Sequence, residues 1–435
     1  MGEWPRGRVK DICELIVDCV NRTAPVVDGP TPYRMIRTTN IRDGRIDLST
    51  CRYVEQDTYD RWTRRAQIKD GDVLLTREAP IGEVGFVQGL GSVFLGQRIM
   101  QYRADQSKVV PRFLYYSFRS PDLQHQFGAH EGSGSVVSHI RVADCHDFQI
   151  NIPPLFEQAA IAELLGDIDD KIELNRRTNE TLEAMAQAIF KDWFVDFGPV
   201  RRKMQGATDP AAILGGLLPS DSPNAKDIAN LFPNSFSDNG LPEGWEKRTL
   251  EADFDIVMGQ SPPGDTYNEC GDGMIFYQGR RDFGWRFPSP RVFCSAPSRI
   301  AKRDWSLISV RAPVGDLNRA WDECCIGRGV GAFMHKRGLA SLTYYLGHSL
   351  QTALLSYDKD GTVFGSINKR QLSNLSTVGM NTVAAEKFEV LVGPVDKLIR
   401  SKSAEISTLA ETRDYLLPKL MSGKIRAGLA EELVA

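Results

Sequence analysis

The stretch IDDKIELNRRTNETLEAMAQAIFKDW, Ile168 to Trp193, decides the fold. Taken in steps of four and three it reads Ile168, Ile172, Asn175, Asn179, Leu182, Ala186, Ile189 and Trp193, and the same steps run back through Leu165 to Ile161. Alternating four-three spacing keeps one helix face against a partner helix. Two asparagines sit on that face. An amide on a packed seam costs stability but fixes register and partner. The question is which chain supplies the facing surface.

The chain itself offers a partner. A second seam lies 227 positions further on: Phe388, Val392, Val395, Ile399, Lys402, Ile406, Leu409, Arg413, Leu416 and Leu420. Gly166-Asp167 maps onto Gly393-Pro394, residues that end one helix and open the next. The spacing therefore predicts, in each half, a short helix and then a long one, at about 167–194 and 394–421, each ~42 Å long at 1.5 Å per residue. Two copies of a unit in one chain imply a pseudo-two-fold and antiparallel packing of these helices. Setting Ile168 opposite Leu420, so that facing numbers sum to 588, puts Asn175 across from Arg413 and Ala186 across from Lys402. Each long basic side chain then meets a short partner and can reach water. Leu164, Met185, Phe190, Phe194 and Phe197 lie off the seam and are read as a surface for other subunits.

The repetition extends beyond the helices. REAPIGEV (77–84) returns as RAPVGDL (311–317), and LGQRIM (95–100) as IGRGVG (326–331). Tyr115-Tyr116 returns as Tyr344-Tyr345, EGSGSVVSHI as KDGTVFGSI, and Trp4 as Trp245. The runs 71–77, 82–87 and 93–103 read as strands, and 111–127 as helix. The fold class is therefore α+β: two repeated globules with a pair of long antiparallel helices. The implied divisions are a first globule at 1–153, a helical region at 154–197, a Pro/Gly/Ser-rich linker at 198–240 with little helix, a second globule at 241–381, a helical region at 382–425 and a tail at 426–435.

Composition narrows the function. Net charge is −3 over 435 residues, but residues 151–200 carry 4 basic and 10 acidic side chains, while 1–150 carry 20 and 19 and 240–380 carry 17 and 15. An acidic helical segment thus masks two slightly basic globules. In the first, 17 of the 20 basic residues are Arg, the side chain suited to two-pronged contacts with bases and phosphates. No apolar run is long enough for a membrane span, no signal-peptide core opens the chain, and the eight cysteines form no CxxC pair, so a cytoplasmic chain with reduced thiols is expected. There is no GxxxxGK[ST] loop and no GxGxxG after a strand. Asn151-Ile-Pro-Pro-Leu-Phe has one residue too many for the Asn-Pro-Pro-aromatic motif of adenine methyltransferases. His139, Cys145 and His146 lack a fourth ligand at a metal-site spacing. No catalytic residue and no metal site is assigned.

The repeated architecture, the run PPLFEQAAIAELLGDIDDKIELNRRTNETLEAMAQAIFKDWFVDFGPV, the segment NLFPNSFSDNGLPEGW and the ending YLLPKLMSGKI resemble the specificity subunit of type I restriction–modification systems. The resemblance implies that each globule is a target-recognition domain for one half of a split, asymmetric DNA site, that the helix pair sets the gap, and that the chain catalyses nothing itself. It also implies two modification subunits carrying S-adenosylmethionine, two restriction subunits using ATP and Mg, double-stranded DNA as ligand, and no cofactor in this chain. Alternatives are a helical adaptor that organises other subunits, or a cryptic methyltransferase or nuclease.

Candidate DNA-binding residues are polar side chains in corresponding loops. In the first half they are Arg34, Arg37, Thr38, Asn40, Arg42, Arg77, Gln97, Arg98, Ser133, Ser135 and His139; in the second, Gln278, Arg280, Arg281, Arg311, Arg328, Lys359, Thr362, Asn368 and Lys369. Arg, Asn and Gln can bond base edges in pairs, whereas Lys, Ser and Thr suit phosphates.

Overall fold

The computed structural model describes residues 4–130, 139–219, 221–222, 224–359 and 365–428. It divides into two compact units, residues 1–176 with 404–435, and residues 177–403.

In the first unit, strands Arg6–Arg8 and Gln149–Asn151 pair antiparallel and bring the two ends of the globule together. A four-stranded antiparallel sheet runs in the order Cys13–Asp18, Ile99–Ala104, Val73–Arg77, Ile81–Phe86. Its central strand is buried on both faces, so alternate residues enter different cores. Val73 and Leu75 pack toward the helices and Leu74 toward a smaller cluster with Ile36, Val93 and Leu95. Behind that cluster lies a three-stranded sheet in which Arg34–Ile36 runs parallel to Val93–Leu95. The helical run 111–127 forms as two helices, Pro111–Arg119 and Pro121–Gly128. Pro121 forces the break, and Ser120 caps the second helix through its hydroxyl.

The second unit repeats this plan. Glu246–Thr249 pairs with Ser376–Gly379, and a four-stranded sheet runs Phe254–Met258, Val330–His335, Ser306–Ser309, Leu317–Arg319. Met274–Tyr277 runs parallel to Cys324–Ile326 within a five-stranded sheet. The equivalence holds at the level of single bonds. The buried hydroxyls of Thr76 and Ser309 each donate to the carbonyl of a cis-proline, Pro80 at 2.7 Å and Pro313 at 2.8 Å. Each also accepts from a later backbone N–H, that of Glu83 at 3.0 Å and of Asp316 at 2.9 Å.

The long helices correct the expectation of a break at Gly166 and at Gly393-Pro394. Leu155–Phe194 and Thr382–Met421 are each continuous over 40 residues. Gly166 is not a terminator. A Cβ there would lie 2.9 Å from the guanidinium carbon of Arg112, which donates to the Gly166 carbonyl at 3.1 Å and to Asp170 at 2.6 Å. Pro394 lacks the N–H that would bond the Val390 carbonyl, and the helix runs on through it.

Every seam residue named above is buried or half-buried, and the facing helix belongs to the same chain. The register differs from 588. In the first unit Arg413 donates to Asp169 at 2.8 Å. In the second, Asn179 donates to Ser403 at 3.2 Å, and the rings of Trp193 and Phe388 are 6.1 Å apart. These pairs sum to 582, 582 and 581, six or seven below 588 and so about one heptad short. The shift sets Ile172 level with Leu409 and Leu182 with Ile399, apolar on apolar, and brings Arg413 beside a carboxylate. The aromatic residues off the seam also differ from expectation. Phe190, Phe194 and Phe197 are buried, packed with Trp193, Phe232, Trp245 and Phe388; Met185 is exposed. Segment 198–240 covers them. It carries helices Gly198–Met204, Pro210–Ile213 and Ala225–Asn230, with Val200, Ile213, Leu214, Ile228 and Phe232 in the core, so it is a packed part of the second unit.

A buried ion cluster joins the second globule to its helix segments. Asp396, 3% exposed, accepts from Arg286 at 2.6 Å, Arg319 at 2.6 Å and the Tyr345 hydroxyl at 2.9 Å. Arg286, 1% exposed, also pairs with Glu183 and lies over the Tyr344 ring at 4.3 Å. Two guanidiniums and two carboxylates balance. Removing one leaves the rest uncompensated, so Asp396→Ala should cost ~3–5 kcal/mol. Asp170→Ala, which removes a half-solvated partner of Arg112, should cost under ~1 kcal/mol. Denaturant unfolding checks the contrast, and similar losses would contradict it.

His348 packs beside this cluster. Burial, and then the nearby Arg286 charge, push its imidazole from 6.5 down to about 4. The unfolded chain therefore takes up the proton first as pH falls. His348 contributes fully above about pH 6.5, and that contribution is lost between 6.5 and 4. His348→Asn should flatten the pH dependence of unfolding in this window; an unchanged slope would refute the assignment.

Candidate nucleic-acid interface

In each globule two parallel strands end side by side, and the candidate residues follow those ends. In the first, Ile36 and Leu95 are level, and the chain continues into Arg37 on one side and Gly96-Gln97-Arg98 on the other. In the second, Tyr277 and Ile326 are level, followed by Gln278 and by Gly327-Arg328-Gly329. The backbone bonds match. Gly96 N–H donates to Ile36 at 2.7 Å, and Gly327 N–H to Tyr277 at 2.9 Å. Cys19 donates to Ile99, and Gly259 to Val330. Arg77 donates to Arg98 and accepts from Ile140; Val310 donates to Gly329 and accepts from Ile367. The structural counterpart of Arg77 is therefore Val310, one residue before the Arg311 suggested by sequence.

The second globule gathers five of its candidates around one open cleft of about 970 Å³. Gln278, Arg280, Arg281, Arg311 and Arg328 line it, with Gln260, Ser261, Tyr267, Asp282 and Arg291. Arg280 pairs with Asp316, and Arg291 with Asp282 at 3.1 Å. Among the described residues no carboxylate pairs with Arg281, Arg311 or Arg328, and all three are exposed. Arg328 has Ser261 Oγ 3.4 Å from its Nε. An open, Arg-lined cleft of this kind suits a polyanion whose base edges present paired acceptors. Tyr267 and Arg291 carried no sequence signal, since they lie outside the repeated loops; only the fold brings them to the cleft.

Other candidates hold the fold together. Arg34 donates to the Leu90 carbonyl at 2.7 Å, and Arg37 to that of Thr50 at 2.8 Å. Asn40, 1% exposed, accepts from the Arg37 N–H at 2.9 Å and donates to Thr50 Oγ1 at 2.9 Å. Thr38 is half-buried in the same turn. Arg77 donates to the Ile140 carbonyl, and Arg98 is paired with Glu78 at 2.9 Å. Asn368 caps helix Lys369–Ser373 by accepting from the Gln371 N–H. Arg42, Gln97, His139 and Lys369 are exposed. Ser133, Ser135 and Thr362 lie outside the described residues, as does the side chain of Lys359.

Among the described residues no three His, Cys, Asp or Glu side chains meet in a way that could hold a metal, and no helix is long and apolar enough to cross a membrane. Residues 1–184 match the family model of the type I restriction modification DNA specificity domain. Similarity to relatives extends further. It is 28% identical over 98% of its length, and 94% of the relative's, to a Methanocaldococcus jannaschii protein described as the MjaX specificity subunit of a type I restriction enzyme. It is 25% identical over 82% of its length, and 87% of the relative's, to the type I restriction enzyme HindI specificity subunit of Haemophilus influenzae. Its fold is that of the type I restriction-modification S subunit from M. genitalium, with a TM-score of 0.58, 15% identity and 96% of each chain covered.

The candidate residues of the two globules thus separate into fold-forming and outward-facing groups. Asn40→Ala should cost ~1–3 kcal/mol through its unpaired backbone and hydroxyl partners. Arg281→Ala should stay within ~0.5 kcal/mol of the parent yet weaken duplex DNA binding by the assembled complex. Unfolding curves and binding titrations of both variants give the comparison; matching stability losses would undo the separation.

Proposed function

We propose that this chain is the non-catalytic DNA-specificity subunit of a type I restriction–modification complex. Each globule reads one half of a bipartite, asymmetric site, and the helix pair sets the gap between the halves. The observation that carries this reading is the repeat of one backbone geometry, the paired strand ends, in two globules of one chain with different side chains at equivalent places. Likeness to specificity subunits over nearly the full length supports it.

The partners follow from the same reading. Two modification subunits dock on the helices and bring S-adenosylmethionine, two restriction subunits bring ATP and Mg, and the assembly works in the cytoplasm on double-stranded DNA. Exposed apolar side chains on the helices, Leu174 in the first unit and Met185, Val390 and Leu398 in the second, suit protein docking. The candidate residues Arg42, Gln97, His139, Gln278, Arg281, Arg311, Arg328 and Lys369 supply the DNA contacts, the fold-forming ones acting only by shaping the loops.

Adenine-methylation mapping in cells that carry the neighbouring methyltransferase gene, with and without this chain, tests the reading. A split motif that depends on the chain is the expected result. Inserting four residues in each long helix, after Arg176 and after Ser403, should lengthen the gap and leave both half-sites unchanged. No chain-dependent motif from an assembled complex would favour an adaptor, and S-adenosylmethionine binding by the chain alone would favour an enzyme.

A further inference from the structure

We propose that Gln97 and Arg328 are equivalent base-reading residues, Gln97 selecting adenine in one half-site and Arg328 selecting guanine in the other. The inference rests on the function proposed above and assigns the letters read at one place in each globule.

Equivalence comes from the backbone. Both residues follow a glycine at the end of the second of two parallel strands. Both glycines donate to the last residue of the neighbouring strand. A side chain would clash at the first glycine and crowd its neighbours at the second: a Cβ at Gly96 would lie 2.7 Å from the Ile36 carbonyl oxygen, and one at Gly327 would lie 3.0 Å from Phe276 Cζ and 3.1 Å from Gln278 Cα. One residue further on, each chain is pinned again, by Arg98 N–H to Cys19 Sγ at 3.1 Å in the first globule and by Gly329 N–H to the Gln278 carbonyl at 3.2 Å in the second. The reading position therefore sits on backbone fixed on both sides, as base selection requires.

Availability comes from the side chains. Both residues are exposed. Among the described residues Gln97 makes no side-chain hydrogen bond, whereas its neighbour Arg98 is tied to Glu78. Arg328 uses only Nε, toward Ser261, which leaves both terminal nitrogens of its fork for a ligand. It lies in the arginine-lined cleft, where Arg281 and Arg311 can hold the flanking phosphates. A guanidinium fork matches O6 and N7 of guanine, and a carboxamide matches N6 and N7 of adenine.

The test uses the assembled complex of this chain with its modification subunits. The wild-type motif is mapped first, and binding is then measured on duplexes carrying each of the four base pairs at every position of both half-sites. Arg328→Gln should abolish the preference for one guanine, about tenfold or more, in one half only, and Arg328→Lys should not restore it fully. Gln97→Arg should move one adenine preference toward guanine in the other half. An unchanged ranking of the four pairs at all positions in both variants overturns the proposal, as does equal weakening on all duplexes, the mark of a phosphate contact. Absence of any motif with the wild-type chain overturns the functional reading instead. Thermal midpoints equal to wild type are expected for these exposed positions, and a lowered midpoint with lost binding would place the two residues in the fold rather than at the DNA.

Discussion

The Asp396 carboxylate is the contact on which the second unit depends. It leaves the second long helix, loses nearly all its water, and meets two guanidiniums and a phenol from the globule. Burying such ions is expensive, and an apolar cluster of the same volume would hold the layers together at least as well. What the cluster adds is uniqueness. Greasy surfaces can slide, whereas a carboxylate caught between Arg286 and Arg319 has one low-energy position. Glu183, from the first long helix, completes the cluster, so both helices and the globule share one registration point.

The first unit keeps the same acid and changes its company. Asp169 stands 227 positions before Asp396 and accepts from the Tyr116 hydroxyl at 2.8 Å, as Asp396 does from Tyr345. Its guanidinium partners are Arg413, from the other helix, and Arg119. The Asp–Tyr contact is common to both copies, while the counter-charges have moved between helix and globule. The strand ends behave alike: backbone bonds coincide, side chains do not. A duplicated scaffold with divergent tips is what reading two unlike sequences requires.

The helices were legible because a four-three pattern held over many turns matches the pitch of packed helices and of neither strands nor loops. Their register was not, because a slip of one heptad still sets most apolar residues against apolar residues; only Asp169, one step off the seam, tells Arg413 where to stop. Gly166 reads as a stop signal, yet it is a hollow for Arg112, a residue 54 positions away that no local rule connects to it. Segment 198–240 has the composition of a tether but covers Phe190, Trp193 and Phe194, which need a lid that the seam alone does not provide. In the globules, residue type identified hydrogen-bonding side chains without saying whom they bond. Asn40 and Arg34 face inward, Gln97 and Arg328 outward, and the difference lies in a parallel strand pairing between segments some fifty residues apart.

That pairing also explains how a candidate loop can be tied to a long helix. Eight residues after Arg37 comes Arg45, which pairs with Glu173 on the first long helix at 2.8 Å. Eight residues after Gln278 comes Arg286, which pairs with Glu183 on the same helix. In both copies the chain leaves a strand end and, within one short excursion, hands an arginine to a helical glutamate. In the second copy Asp282 stiffens the excursion by accepting from the Gln278 N–H and from Arg291, and its terminal ion pair is buried. In the first copy the pair is half-solvated, with Arg45 47% exposed. Water and salt weaken an exposed pair far more than a buried one. Of these two arginine–glutamate links, the one in the second globule is therefore the less open to water and salt.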